Sequence, residues 1–188
     1  MWALVTDNTI TKIINNPKAL VIGDIQYSRN IFSFRWSNEE REAIGLYEVV
    51  FDNTNLKDQE YYTNTNQTFA FADGAVTASY GSATALALAD VTVDGIVIPG
   101  LKSKHKEKIK QQASSLLATY DWYVIRKADA GTAVPSAVTT YRAAVRTKSG
   151  EMETLIDDAA NVDALAALYV YNDDTPPVRP LGEWPEAV

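Results

Sequence analysis

The residues of this chain that could do chemistry are paired carboxylates, a series of lysines and a set of aromatic side chains. The carboxylate pairs are Asp157-Asp158 and Asp173-Asp174, which suggest a metal site or glycoside cleavage. Adjacent residues on a helix point to different faces, so Asp157 and Asp158 make a poor two-ligand site. Glycoside hydrolysis needs two carboxylates across a sugar-binding cleft, and short hairpins offer no such cleft. The sequence therefore predicts no enzyme activity, no catalytic residue and no metal site.

Composition restricts the chemistry further. The chain has no cysteine, which excludes disulfides, thiolate zinc sites and cysteine nucleophiles. Its single histidine, His105, lies among lysines, which disfavours a histidine-based metal site or a Ser-His-Asp triad. The glycines at positions 74, 81 and 95 form no phosphate-binding pattern. We therefore expect no cofactor.

Charge is segregated along the chain, whose net charge is -7. Residues 1–100 carry a net charge of -6, residues 101–150 of +7 and residues 151–188 of -8. The basic segment could meet acidic surfaces of its own chain or of a neighbouring copy, because charge complementarity sets register and partner choice. It could instead bind nucleic acid, but no arginine-rich or aromatic-interleaved surface accompanies it and the whole chain is acidic. The lysines concerned are Lys102, Lys104, Lys106, Lys108 and Lys110.

Six aromatic residues in the first half of the chain allow two interpretations. They could stack on a host glycan at a receptor-binding surface, or they could form cross-strand pairs that fill a thin β core. We favour packing, because aromatic pairs stabilise small antiparallel sheets. The residues are Tyr47, Tyr61, Tyr62, Phe69, Phe71 and Tyr80.

The first hundred residues predict a β-rich module. The dipeptides Asp7-Asn8, Asp73-Gly74 and Asp94-Gly95 each tolerate positive φ between short apolar runs, which predicts three β-hairpins in a mainly antiparallel module. One short helix is predicted after Ser37, because Ser37 and Glu40 have the spacing of a capping box. An alanine-rich linker follows, and we place the domain boundary near Pro99-Gly100.

The remaining residues predict a helical module over 101–170. The first helix spans about residues 101–120, and Pro135 suits the first turn of a second helix. Gly150 is expected to end the second helix, and a third is predicted over 155–168. Residues 171–188 are rich in proline and should be extended, ordered only by lying along another surface. The predicted fold class is α+β, with an N-terminal β module, a C-terminal helical hairpin with an extra helix, and a tail.

Three short motifs in the helical module carry a family resemblance. They are the leucine pair Leu116-Leu117, the dipeptide Asp121-Trp122, and Tyr141-Arg142 followed by Arg146. Together they make about residues 101–156 similar to the small module of phage tail assembly chaperones and related phage tail and tail-fibre proteins. The resemblance implies a tailed-phage virion, with synthesis in the host cytoplasm and a place in the tail.

The resemblance leads to three functional hypotheses. The first is a structural tail adaptor that attaches a fibre through protein contacts, present in many symmetric copies. The second is an assembly chaperone that is absent from the mature particle, and the third is a receptor-binding tip protein. No nucleic acid is expected as a partner, and no membrane either, because no apolar run approaches the roughly 18–20 residues that span a bilayer.

For the adaptor, we expect a defined set of contact residues. Trp122 could be an interface anchor, or it could pack beneath the helical hairpin while Asp121 caps a helix or pairs with Arg142 or Arg146. Trp184 and the tail would wrap along an adjacent subunit. The predicted interface residues are Lys102, Lys104, Lys106, Lys108, Lys110, Trp122, Arg142, Arg146 and Trp184.

Overall fold

The computed structural model describes residues 1–188 as an α+β protein with two compact units, residues 1–84 and 85–188. The predicted fold class is therefore confirmed. The first unit contains a short 3₁₀ helix, Arg29–Phe32, and a five-residue α-helix, α1, Asn38–Glu42. Its strands are β1 Trp2–Thr6, β2 Thr9–Ile14, β3 Leu20–Ile22, β4 Ile25–Tyr27, β5 Leu46–Asp52, β6 Tyr62–Thr63, β7 Gln67–Ala72 and β8 Ala75–Tyr80.

The main sheet has five strands in the order β2-β1-β5-β8-β7. The hairpins β1-β2 and β7-β8 are antiparallel, as is the β1-β5 pair. Strands β5 and β8 run parallel, with Val49 opposite Val76. The predicted antiparallel module is therefore a mixed sheet, and its central strand joins two hairpins that are remote in sequence.

The three predicted turns have the backbone that their residues favour. Asp7 and Asn8 both have positive φ, as do Asp73 and Gly74. The third turn, at Asp94, joins β10 Val91–Val93 to β11 Ile96–Ile98 in the second unit. Positive φ at both central positions matches the right-handed twist of the flanking strands, so all three predicted hairpins are confirmed.

Each face of the main sheet has its own apolar cluster, because successive side chains of a strand point to opposite faces. Ala3 and Val49 belong to the cluster on one face. Leu46 belongs to the other cluster, against which Trp2 packs. The unit can therefore bury a core on both sides of a single sheet.

The predicted capping box is present at the start of α1. The Glu40 backbone N–H donates to Ser37 Oγ at 3.2 Å, and the Ser37 N–H donates to Glu40 Oε2 at 2.7 Å. The following residue, Arg41, is buried, and its Nε donates to the Ile31 carbonyl at 2.8 Å. Its guanidinium also lies 4.9 Å from the centre of the Trp2 ring. These contacts fix the short helix on the sheet.

The second unit is helical and differs from the prediction at three places. Its helices are α2 Leu101–Ala118, α3 Asp121–Ala130, α4 Ser136–Asp158 and α5 Val162–Ala167, and the short strand β9, Thr84–Ala85, lies where the two units divide. Helix α3 was not predicted. Helix α4 continues through Gly150, so the expected break there is wrong. The third helix, predicted over 155–168, is the shorter α5, because residues 155–158 belong to α4. The α4 stripe formed by Val138, Tyr141 and Val145 is buried as predicted.

Residues 85–100 belong to the helical unit because they complete the start of α2. The backbone N–H groups of Leu101 and Lys102 donate to the carbonyls of Ala87 and Leu88 at 2.9 and 3.0 Å. The N–H of Gly100 donates to Asp90 Oδ1 at 2.8 Å. The first N–H groups of a helix have no partner within it, and this loop supplies them. The units accordingly divide at residues 84 and 85, earlier in the chain than the predicted Pro99-Gly100 boundary.

We predict that Asp90 makes the stability of the helical unit sensitive to acid. Hydrogen bonds from the Ser103 side chain and the Gly100 backbone lower the pKa of the Asp90 carboxyl. Because the folded pKa lies below the unfolded one, the stabilisation is present above about pH 4 and is lost as pH falls through the folded pKa. Urea unfolding measured between neutral and acidic pH should show this loss.

The control for this prediction is Asp90→Asn, which keeps a side-chain acceptor but does not titrate. The variant should lack the Asp90 part of the acid-induced loss. An unchanged dependence of unfolding free energy on pH in the variant would refute the role of Asp90.

Candidate functional site

The lysines of α2 lie on two different faces. Lys106 Nζ is 2.7 Å from Asp157 Oδ1, and Lys102 Nζ donates to the Asp157 carbonyl at 2.7 Å. Lys110 Nζ is 3.5 Å from Glu153 Oε2. Three of the predicted interface lysines therefore contact α4 of the same chain, which confirms the interpretation that the basic segment meets acidic residues of its own chain.

The other two lysines, Lys104 and Lys108, have exposed side chains. Residues spaced four apart share a helix face, so Lys104 and Lys108 form a second stripe that is separate from the α4 contact. Lys108 lines an open groove, and Lys104 is not among the residues that line it. Lys104 and Lys108 thus lie on a different face of α2 from Lys102, Lys106 and Lys110.

Arg142 joins the end of α2 and the start of α3 to α4. Its NH1 group is 2.8 Å from Asp121 Oδ1 and donates to the Leu117 carbonyl at 2.8 Å. The predicted pairing of Asp121 with Arg142 is therefore confirmed. Asp121 also stands in the first turn of α3, where a carboxylate stabilises the positive end of the helix dipole. Arg146, one turn further along α4, is exposed.

Trp122 lies on the surface of α3, with 49% of its area exposed. The Arg126 guanidinium stands 4.7 Å from the centre of its ring, and the Tyr123 ring lies 3.8 Å away. The Arg126 Nε atom is buried and has no hydrogen-bond partner, so the aromatic rings are its main contacts. The alternative in which Trp122 packs beneath the helical hairpin is wrong.

Helix α3 as a whole has no buried residue. Its exposed apolar side chains are Trp122, Val124 and Ile125. Trp122 and Ile125 are three apart and share one side of the helix, here called the α3 face, whereas Val124 points to another side. Gly131 ends the helix in the left-handed conformation, with φ of 69°. Glycine is favoured at this position because it lacks the Cβ that a left-handed backbone would crowd. The α3 face is thus carried on a helix whose two ends are both fixed by local contacts.

The C-terminal tail lies on its own chain. Trp184 packs against the cluster of Ala113, Tyr141 and Val145, and its Nε1–H donates to Gln112 Oε1 at 3.1 Å. At the end of the tail, the Tyr120 hydroxyl donates to the Val188 carbonyl at 2.7 Å. The prediction that Trp184 and the tail wrap along an adjacent subunit is corrected, because the surface that orders them belongs to α2 and α4 of the same chain.

His105 is part of the core of the helical unit. Its side chain is 2% exposed, and Nδ1 is 2.8 Å from the Tyr169 hydroxyl. The sequence analysis saw His105 only as a residue among lysines, but the four-residue spacing of Leu101, His105, Ile109 and Ala113 was a signal that could have placed it on the buried stripe. No group of three or more His, Cys, Asp or Glu side chains converges in the structure.

The six aromatic residues singled out in the first unit have different surroundings. Tyr47 and Phe71 have ring centres 4.9 Å apart, Tyr61 is buried, and Phe69 packs against the cluster that contains Val76. Tyr62 and Tyr80 line a shallow pocket that is otherwise mostly polar. Packing therefore describes the contacts of Tyr47, Phe69 and Phe71, although Tyr47 on β5 and Phe71 on β7 lie on either side of β8 rather than on neighbouring strands.

Sequence reasoning missed two features of the helical unit. Val124 and Ile125 of α3 were not singled out, although two β-branched residues close to a tryptophan in a charged segment are unusual for a solvent-exposed surface. The groove beside Lys108 was also missed, because Arg179 and Trp184 reach it only through the path of the tail. No local signal marks such a long-range approach.

The structure has no helix long and apolar enough to cross a membrane. No family model, no curated protein and no solved structure matches the chain.

Proposed function

We propose that this protein is a structural component of a tailed-phage virion, a tail adaptor that attaches a fibre through protein–protein contacts. The observation that carries the proposal is the α3 face, an apolar surface on a helix with no buried residue. The phage context rests on the resemblance of the Leu116-Leu117, Asp121-Trp122 and Tyr141-Arg142 motifs to phage tail proteins.

The composition of the α3 face suits a docking site. Contiguous exposed apolar surface on a folded protein often marks an interaction site. Tryptophan and arginine are enriched among the residues that contribute most to binding energy, and Trp122 and Arg126 are stacked here. A partner that covers Trp122 and Ile125 would bury apolar area and would leave the ion pair between Asp121 and Arg142 intact.

The rigidity of α3 also favours docking. The Asp121–Arg142 ion pair holds its first turn, and Gly131 ends its last turn. A surface that is already ordered loses less conformational entropy when a partner binds. The α3 face is therefore ordered before a partner binds, which lowers the entropic cost of docking.

An adaptor needs a second docking surface, and the first unit offers one. Phe34 is 95% exposed, and Val21 and Ile25 are exposed on the hairpin of β3 and β4. A two-stranded hairpin is marginally stable by itself, and its free edges can pair with another chain. Each unit thus carries exposed apolar residues of its own, as an adaptor between two neighbours requires.

We predict that Trp122→Ala separates assembly from stability. The half-exposed ring should contribute little to folding, so the free energy of unfolding should change by less than about 1 kcal/mol. Copies of the chain per purified particle should fall by about tenfold or more, because a central aromatic anchor is lost. Quantitative mass spectrometry against the major capsid protein measures the copies, and urea unfolding measures stability.

Val170→Ala is the matched control, because Val170 is exposed but lies outside α3. It should change neither stability nor copy number. A loss of about 3–5 kcal/mol in Trp122→Ala would show a core role instead, and normal incorporation of that variant would refute the α3 face as a docking site. Absence of the unmodified chain from particles, with abundance in the infected lysate, would identify an assembly chaperone.

A further inference from the structure

The hairpin of β10 and β11 has no buried residue, because every residue over 91–99 is exposed. The base of the hairpin is nevertheless fixed to the start of α2, where the Gly100 N–H donates to Asp90 Oδ1 at 2.8 Å. The hairpin is therefore an anchored arm that the rest of its unit does not cover. Its five aliphatic side chains are between 45% and 69% exposed, and they belong to Val91, Val93, Ile96, Val97 and Ile98.

The register of the hairpin puts four of these side chains on one face. Val91 lies opposite Ile98, and Val93 lies opposite Ile96. Directly opposite residues of an antiparallel pair share a face, as do residues two apart on one strand. The surface formed by these four side chains is here called the arm face, and it is entirely aliphatic. The other face of the hairpin carries Thr92 and Val97.

The arm face calls for a cover of a particular kind. A two-stranded hairpin is marginally stable in water and gains stability from further strands or from packing of an apolar face. Contiguous exposed aliphatic side chains on a folded protein often mark an interaction site. The arm face has no charged or polar side chain, so it offers nothing to select a charged partner. A matching cover is a second aliphatic surface of the same small size.

The sizes of the side chains make the arm face complementary to itself. The two larger ones, Ile96 and Ile98, lie on β11, and the two smaller ones, Val91 and Val93, lie on β10. When two arm faces stack about a two-fold axis parallel to the strands, β11 of each copy lies over β10 of the other. Each isoleucine then meets a valine, and such alternation of large and small side chains fills the space between two layers.

The charges at the end of the hairpin allow this arrangement. Asp94 in the turn is the charged residue nearest to the arm face, and the two-fold axis brings the turns of both copies to the same end. Stacked sheets lie about 10 Å apart. This separation exceeds the screening length of about 8 Å at physiological ionic strength, so repulsion between the two carboxylates is weak.

We propose that the arm face binds the arm face of a second copy of this chain and forms a two-fold symmetric dimer with four strands in two layers. Such an isologous contact closes on itself. Four side chains per copy bury less than the roughly 1,200 Å² of a standard interface, so the dimer is reversible, with a Kd between about 10 μM and about 1 mM. The inference goes beyond the proposed function and does not depend on the α3 face.

The test is sedimentation velocity of the full purified chain over concentrations that span this range of Kd. The unmodified chain should change reversibly from monomer to dimer. Ile96→Glu should weaken the association by at least about tenfold, because it places a carboxylate without a partner in an apolar interface. Ile96 is 69% exposed in the single chain, so the variant should fold normally, which circular dichroism checks.

Val97→Glu is the matched control. Val97 is the next residue of β11 and is 59% exposed, but it lies on the other face of the hairpin. The variant adds the same charge to the same strand and should leave the association unchanged.

A mixture of two variants tests the arrangement of the strands. Val93→Lys alone should weaken the association, as Ile96→Glu does. An equimolar mixture of the two variants should dimerise at least about tenfold more tightly than either alone, because the introduced carboxylate and ammonium groups face one another across the interface.

Four results would overturn the proposal. They are a chain that stays monomeric over the whole range, equal weakening by Ile96→Glu and Val97→Glu, no recovery in the mixture, and association that Trp122→Ala weakens but Ile96→Glu does not. The last result would place self-association at the α3 face. Incorporation into particles is measured separately with Trp122→Ala, so failure of the arm face and failure of the proposed function are distinguishable.

Discussion

Gly45→Ala is expected to destabilise the N-terminal unit by about 2–5 kcal/mol, the sum of about 1–2 for a left-handed backbone and about 1–3 for overpacking. Gly45 has φ of +78°, and a Cβ built on it would collide with the carbonyl oxygen of Val5. The same two residues are joined by a hydrogen bond from the Val5 N–H to the Gly45 carbonyl at 2.8 Å. An added methyl group would therefore separate β1 from β5 where their pairing begins.

Gly74→Ala is the matched control, because Gly74 has φ of +76° and nothing lies within 4 Å of its Cβ position. It should cost only the conformational part, about 1–2 kcal/mol. Amide hydrogen exchange of β1 and β5 measures the effect within the unit, since a chain of two units need not unfold in one step. Equal losses in the two variants would show that the Val5 contact adds nothing.

Leu181→Ala is expected to destabilise the helical unit by about 2–5 kcal/mol, the range for removing a buried leucine side chain. Leu181 is 0% exposed, and its N–H donates to the Leu168 carbonyl at 3.0 Å. It is the most deeply buried residue of the tail, so the cavity left by alanine would loosen the tail from the helices. Urea unfolding measures the stability loss, and limited proteolysis after residue 170 measures release of the tail.

The control for this prediction is Val178→Ala, a truncation in the same tail at a half-exposed position. It should change the free energy of unfolding by about 0.5 kcal/mol or less and should leave protease resistance unchanged. A loss of under about 1 kcal/mol in Leu181→Ala, below the range for a buried leucine, would show that the tail contributes little to the unit.

Features set by neighbouring residues could be predicted from the sequence. The turn at Asp73-Gly74 and the capping box of Ser37 and Glu40 depend on side chains within four positions of one another, and both are present. The direction of β8 relative to β5 is different, because it depends on the path of the residues between them. No local pattern encodes that path, and the parallel pair could not be foreseen.

The sequence missed helix α3 and the continuity of α4 for different reasons, and only α4 shows tertiary contacts outweighing local preference. Val124 and Ile125 favour strands by propensity, and α3 has no buried stripe that would indicate a helix. Gly150 costs a helix about 1 kcal/mol relative to alanine. Beyond it, however, Met152 and Ile156 are fully buried, and burial of one such side chain contributes about 1.5–3 kcal/mol. Burial beyond the glycine therefore keeps α4 helical.

The candidate site likewise contains features that could be predicted from the sequence and features that could not. Glu153 and Asp157 are four apart on α4, and Lys106 and Lys110 are four apart on α2, so their matched spacing was visible in the sequence. The position of Trp184 beside Gln112 was not visible in the sequence, because the two residues are 72 positions apart in the chain. Spacing within one helix can be predicted, whereas the return of a remote tail cannot.

The order of the strands in the main sheet also constrains how the N-terminal unit forms. The hairpins β1-β2 and β7-β8 close over two-residue turns, and such hairpins form within about 1–10 μs. Strand β5 can join β8 only after the intervening chain has closed a long loop. Closing this loop costs conformational entropy before the stabilising contacts between the two strands have formed. The sheet should therefore assemble from two early hairpins, with β5 as the late strand that joins them and sets the folding rate.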